Sequence, residues 1–174
     1  MSRPRFAVIP FVMLLLAACG TLPGVNTEVS YCCSPSAERV HTYRVEFEGM
    51  PEFLKPMLRD EASIVLAAKG FEYTEQEADA VLLMQFINTP LTNQEAEQYA
   101  AWGTIEPGGE AHFIAEVRMR MTESVTGEQL LSGSMRRVHS IFEGSYMHEA
   151  PARAAMRLAF QRLFAELAPG TISD

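Results

Sequence analysis

The chain lacks the patterns that most often announce chemistry. No GxSxG elbow, HExxH pair, Walker loop or GxGxxG turn occurs in its 174 residues, so the common hydrolase, metalloprotease and nucleotide-binding mechanisms have no motif to start from. Positive charge is also scarce. Lys and Arg number 14 against 22 Asp and Glu, a net charge of −8. With no basic surplus to displace phosphate counterions, nucleic acid is excluded as a partner class. The three cysteines show no CxxC spacing, and His41, His112, His139 and His148 are scattered. We therefore expect no metal site, no other cofactor and no enzymatic activity. The uncharged N-terminal run from Phe6 to Ala18 would make a helix of about 20 Å, short of the roughly 30 Å needed to cross a bilayer core. What is present is 48% hydrophobic residues, enough for one domain with a real core and too much for a disordered chain.

The N-terminus carries the clearest signal. Arg3 and Arg5 precede the apolar run, which closes on Leu16-Ala17-Ala18-Cys19. Basic, apolar and then small residues is the layout of a secretory signal peptide, and the ending resembles a bacterial lipobox. Small residues let the backbone enter a narrow peptidase site, and the cysteine sulfur would become the thioether that carries diacylglycerol. The resemblance implies removal of residues 1–18 and acylation of Cys19. Several acyl chains anchor a protein stably where one is marginal. Gly20 rather than Asp follows the cysteine, which favours the outer membrane, facing the periplasm, over retention at the inner membrane. Without Arg3 and Arg5 the chain keeps 12 basic and 22 acidic residues, a formal charge of −10.

Residues 19–38 read as the acylated end and a flexible tether, rich in Gly, Pro, Ser, Thr and Asn with no apolar period. Cys32 and Cys33 sit within it as neighbours and form a candidate redox pair. A ring between adjacent cysteines is strained because their Cα atoms are only about 3.8 Å apart. Pairing between molecules and a free thiol pair both stay open.

Residues 39–170 read as a single domain. His41 to Glu48 alternates as a half-buried strand. Leu54, Met57, Leu58, Val65 and Ala68 recur at helical intervals until Gly70, with the helix starting close to Lys55 because Pro56 is tolerated only in a first turn. Ala80 to Ile87 is too continuously apolar for a one-sided strand and belongs in the middle of a sheet. Residues 89–110 are polar, and they read either as a mobile loop carrying the only tryptophan, Trp102, or as a segment with a short helix over Gln94 to Ala101. A long alternation from Ala111 to Thr122, a turn at Ser124 to Glu128 and a returning strand from Leu130 to Phe142 make a hairpin, with Gly133 a candidate bulge. Met156, Phe160, Leu163, Phe164 and Leu167 form the stripe of a last helix. The order predicts an α+β fold, a two-layer sandwich of about four mostly antiparallel strands with two helices on one face.

The residues singled out for contact with a ligand or partner are Arg118, Arg120, Arg136 and Arg137, carried by the hairpin, and Trp102. Antiparallel pairing could gather the arginines on one sheet face, where guanidinium groups bind phosphate or lipid headgroups. They could equally neutralise Glu46, Glu48 and Glu116 on that face. Trp102 suits a partner anchor or a cap on an open sheet end.

The strand at His41–Phe47, the helix closing in Lys69-Gly70-Phe71 and the Ala78-Asp79-Ala80 lead into an apolar strand resemble the lipoprotein family called domain of unknown function four-one-three-six. A late hairpin and C-terminal helix extend the likeness over most of residues 40–168. The resemblance implies the fold and an envelope location, and it brings no activity or catalytic residue. A second likeness is to the outer-membrane lipoprotein that plugs the lipopolysaccharide translocon, which shares the length, the Cys-Gly start and basic residues suited to the arginine cluster. The expectation is a membrane-anchored accessory or scaffold for an envelope protein. The alternative is a lipid- or lipopolysaccharide-binding lipoprotein that uses the arginine face.

Overall fold

The computed structural model describes residues 25–31, 40–102, 111–141 and 149–168. Leu16, Ala17, Ala18, Cys19, Cys32 and Cys33 lie outside these residues. The elements in chain order are β1 (Val25–Tyr31), β2 (Thr42–Glu48), α1 (Leu54–Ala67), β3 (Glu72–Tyr73), β4 (Ala80–Pro90), α2 (Asn93–Ala101), β5 (Ala111–Glu123), β6 (Gln129–Ile141) and α3 (Glu149–Leu163).

One mixed sheet runs in the order β1-β6-β5-β4-β2-β3. The four strands from β1 to β4 pair antiparallel, whereas β2 lies parallel to both β4 and β3. Alternation along each strand sends one set of side chains inward: Tyr43, Leu82, Met84, Met119, Met121 and Leu131 are all buried. They meet Leu58, Ala62 and Leu66 of α1 and Phe160 and Leu163 of α3, with Phe164 just beyond it. In α1, Pro56 is the third helical residue, where its missing N–H would have no intrahelical acceptor anyway. The helix stops because Gly70 takes the left-handed conformation, φ 95°, and lets the Phe71 N–H return to the Leu66 carbonyl at 3.1 Å.

Two polar devices hold this core together. Glu61, only 1% exposed, sits in the apolar stripe of α1 and accepts hydrogen bonds from Arg157 Nε (2.7 Å) and Arg153 (3.2 Å) of α3. Asp79 Oδ2 accepts the backbone N–H groups of His41 (2.9 Å) and Thr42 (2.8 Å), and its own N–H donates to Thr42 Oγ1 at 2.9 Å. The second device fixes the parallel start of β2 beside β4.

The fold class is α+β as expected, with corrections to its inventory. The sheet has six strands rather than about four, and three helices occur among the described residues rather than two. Residues 25–31, expected inside the tether, form β1, which pairs along its whole length with β6. Of the two readings for residues 89–110, the helix holds over Asn93–Ala101. Thr92 and Glu95 close a capping box at its start. The irregularity in the hairpin falls between Met121 and Thr122, not at Gly133. Gly133 instead lies where α3 and β1 close in: a Cβ there would stand 2.8 Å from Leu163 Cδ2 and 2.9 Å from the Glu28 carbonyl oxygen.

Candidate partner-binding face

Helices α1 and α3 cover one face of the sheet. On the other, the register lines up polar side chains in rows across the strands. One row runs Glu28, Ser134, Arg118, Gln85 and Glu48, and the next runs Ser30, Ser132, Arg120, Leu83 and Glu46. A third contains Arg136 opposite Glu116, which pairs on its other side with Ile87. The first two rows, without Glu46, border a shallow trough of about 800 Å³, as does Glu116.

The four expected arginines do not act as one cluster. Arg118, Arg120 and Arg136 share the open face, whereas Arg137 lies opposite Ala115 on the other side of the sheet. Arg118 Nε is held by Glu116 at 2.6 Å, and Arg44 pairs with Glu46 at 2.7 Å. Among the described residues Arg120, Arg136 and Arg137 have no ion-pair partner within 4 Å. Glu28, Glu48 and Glu116 border the trough together with Arg118 and Arg120, so its charge is mixed rather than positive. Such a face offers donors and acceptors of both signs, which suits a partner with alternating charge better than a phosphate.

Trp102 is not part of this face. It follows α2, is 70% exposed, and meets Tyr99 edge-on with ring centroids 5.6 Å apart. His112 and His139 make local contacts. His112 Nδ1 lies 3.0 Å from Ser140 Oγ across the hairpin, and His139 stacks on Phe113 at 5.1 Å. Burial, helped by the charge of Arg137, pushes the His139 imidazole below its usual range. Among the described residues no group of three or more His, Cys, Asp or Glu side chains is placed to hold a metal ion.

Sequence reasoning gave no role to Glu61 or to the Asp79 carboxylate, each of which accepts two hydrogen bonds. A glutamate inside the helical stripe Met57, Leu58, Ala62, Val65 is a readable signal, as is a pair of arginines four residues apart on a second helix. Both groups serve the interior rather than the open face.

No family model and no curated protein sequence matches the chain. Similar solved structures include a PelC dodecamer from Paraburkholderia phytofirmans, 10% identical, covering 84% of this chain and 99% of that one with a TM-score of 0.48. A protein of family four-one-three-six from Bacteroides thetaiotaomicron is 12% identical, with coverage of 82% and 95% and a TM-score of 0.44. Rare lipoprotein B from Shewanella oneidensis is 12% identical, with coverage of 71% and 91% and a TM-score of 0.35. The family that the sequence resembles and lipoproteins are thus both represented among similar structures. No residue role passes from them to this chain.

Proposed function

We propose that the chain is a membrane-anchored lipoprotein of the cell envelope, held at the outer membrane and facing the periplasm. There it acts without catalysis as an accessory or scaffold for an envelope protein. The anchor rests on Leu16-Ala17-Ala18-Cys19. No helix among the described residues is long and apolar enough to cross a membrane, so an acyl anchor supplies an attachment that these helices do not. The observation that carries the scaffold reading is the open sheet face, where both charge signs alternate along cross-strand rows. Mixed rows select a complementary protein surface and repel mismatched ones.

Lipid or lipopolysaccharide recognition is the second reading, favoured by Arg120 and Arg136 standing without ion pairs on that face. Glu28, Glu48 and Glu116 weigh against it, because an anionic headgroup would meet carboxylates as often as guanidinium groups.

The test is in-cell photocrosslinking of the full-length protein from Ser132 and Gln85 on the open face, with Ser124 at the hairpin turn as control. A discrete adduct from the face alone, lost in the double variant Arg118→Glu, Arg120→Glu, supports a protein partner. Equal crosslinking from face and turn removes the scaffold reading. Adducts to lipopolysaccharide instead of protein would favour the second. Cys19→Ala tests the anchor: fatty-acid labelling and membrane association should both disappear, and a variant that still labels sinks the lipobox reading.

A further inference from the structure

The strand nearest the anchor fixes which end of the domain meets the lipid. If Cys19 is acylated, as proposed above, only residues 20–24 separate it from Val25, the first residue of β1. That length spans at most about 20 Å. Val25 pairs with Arg137. The N-terminal end of β1 therefore lies where β4 ends, where β5 begins and where β6 ends, since Pro90 pairs with Phe113, and Phe113 with His139. The hairpin turn, with Val125, is at the far end of the sheet. From position 115, opposite Arg137, to position 123 the strand rises about 27 Å.

The anchor-proximal end carries an unusual set of exposed residues. α2 leaves the sheet there, with the Leu91 N–H bonded to the His112 carbonyl at 2.9 Å. It ends in Tyr99 and Trp102, the latter 70% exposed. β2 stops short of this end, since Glu48 pairs with Gln85, five residues before Pro90. Trp102, one of two aromatics among the exposed large hydrophobics of the described residues, therefore follows a helix that leaves the sheet from this end. Arg136 and Arg137, level with Asn26 and Val25 at the start of β1, lie on opposite faces of the sheet. Several neighbouring carboxylates are already engaged: Glu52 by Lys55, Glu95 in its cap, Glu116 by Arg118 and Glu149 by Arg153. Among the described residues, Glu28, Glu48 and Glu97 have no such partner.

We infer that this end is a lipid-contacting surface, on which Trp102 and Tyr99 seat in the interfacial layer of the anchoring membrane while Arg136 and Arg137 meet its phosphate headgroups. Amphipathic rings favour that layer because one edge is apolar and the other hydrogen-bonds. The short tether raises the local lipid concentration enough for a weak surface to engage. Seated this way, the sheet stands with its open face directed sideways, free for the protein partner.

Trp102 is the only tryptophan, so its emission reports the contact directly. The experiment takes the full-length acylated protein into vesicles of phosphatidylethanolamine and phosphatidylglycerol whose acyl chains are brominated near the headgroup. A second protein, Trp102→Phe with Val125→Trp, moves the probe to the hairpin turn, which is 89% exposed at Val125. Trp102 emission should shift to the blue and lose about half its intensity, as expected for an interfacial ring, while the tryptophan at position 125 should be unaffected. Arg136→Glu with Arg137→Glu should reduce the quenching of Trp102 in these anionic vesicles. Flotation with the vesicles but no quenching of Trp102, or equal quenching at both positions, overturns the proposal and leaves the anchor standing. Failure to float removes the anchor and the proposal with it.

Discussion

Replacing Glu61 by Gln tests whether charge, and not only shape, joins α1 to α3. The carboxylate is 1% exposed, while its partners Arg153 and Arg157 keep 32% and 44% of their side chains in water. Breaking a fully buried pair costs about 3–5 kcal/mol, and an exposed one about 0–1. The arginines of this clamp can rehydrate when the charge is lost, and Arg153 keeps Glu149 at 2.8 Å and Asp60 at 3.6 Å. The loss at pH 7 should therefore be about 1.5–3 kcal/mol, a fall in Tm of roughly 5–12 °C for a domain of this size. The Arg157 hydrogen bond is the largest influence on Glu61. Burial opposes it, and the Arg153 bond adds to it, so the carboxyl sits below its ordinary value of 4.5. A depressed carboxyl stabilises the fold above that value and loses its contribution as pH falls through the folded-state pKa. Thermal unfolding followed by circular dichroism, on Cys19→Ala protein with and without Glu61→Gln, should show a gap that narrows below about pH 4.5. Equal Tm values at pH 7, or a gap that persists undiminished in acid, would refute the electrostatic account.

Asp79→Ala should destabilise the domain by about 2–3 kcal/mol, because two backbone N–H groups lose a charged acceptor. Burial raises the Asp79 carboxyl, but the bonds from His41 and Thr42 outweigh it and leave it below the usual 3.8. Its contribution is therefore complete above that value and fades in acid, and faster amide exchange at His41 and Thr42 would check the assignment. Gly133→Ala should cost about 1–3 kcal/mol, since a Cβ meets both Leu163 and the Glu28 carbonyl. Limited proteolysis should then cut first within β1, and an unchanged digestion rate would count against that close contact. Thr92→Ala should remove about 1 kcal/mol of capping from α2. Only Ala96 of that helix is buried, so amide exchange over 93–97 should quicken while the global Tm stays put.

The parts of the fold that were legible are those with long periodic signals. β4 reads as a central strand because Val81 to Phe86 is apolar on both parities, and it lies between β5 and β2. α3 is legible from its stripe, and Phe160, Leu163, Phe164 and Leu167 are indeed buried. β1 was hidden by its place at the edge. Thr27, Glu28 and Ser30 need bury little there, and Val29 remains 42% exposed, so turn-forming residues and an edge strand look alike in sequence. β3, two residues long, is shorter than any period. The parallel β2–β4 pair follows from the β-α-β order, but parallel direction leaves no mark on β2, whose alternation of Tyr43, Val45 and Phe47 with charged residues is that of any one-sided strand.

The arginine face was harder to read because its composition depends on a single irregularity. Counted from the turn, Arg120 and Arg136 appear as diagonal neighbours, yet β6 presents Ser132 opposite Arg120, and Arg136 opposite Glu116 of β5. The shift between Met121 and Thr122 sets this arrangement. On the turn side Thr122 pairs with Gln129, and beyond the shift Met121 pairs with Leu131. Carried through without the shift, the first register would put Gly133 opposite Arg118 and Ala115 opposite Arg136. Because side chains alternate with period two, that slip would exchange the faces of β6. Arg137 would then join Arg118 and Arg120, and Leu131 and Met135 would leave the core for solvent. Burial of those two residues favours the shifted register. Core packing, acting through one bulge, thus selects Arg136 for the open face and sets it against Glu116, which makes the face mixed in charge instead of anion-attracting.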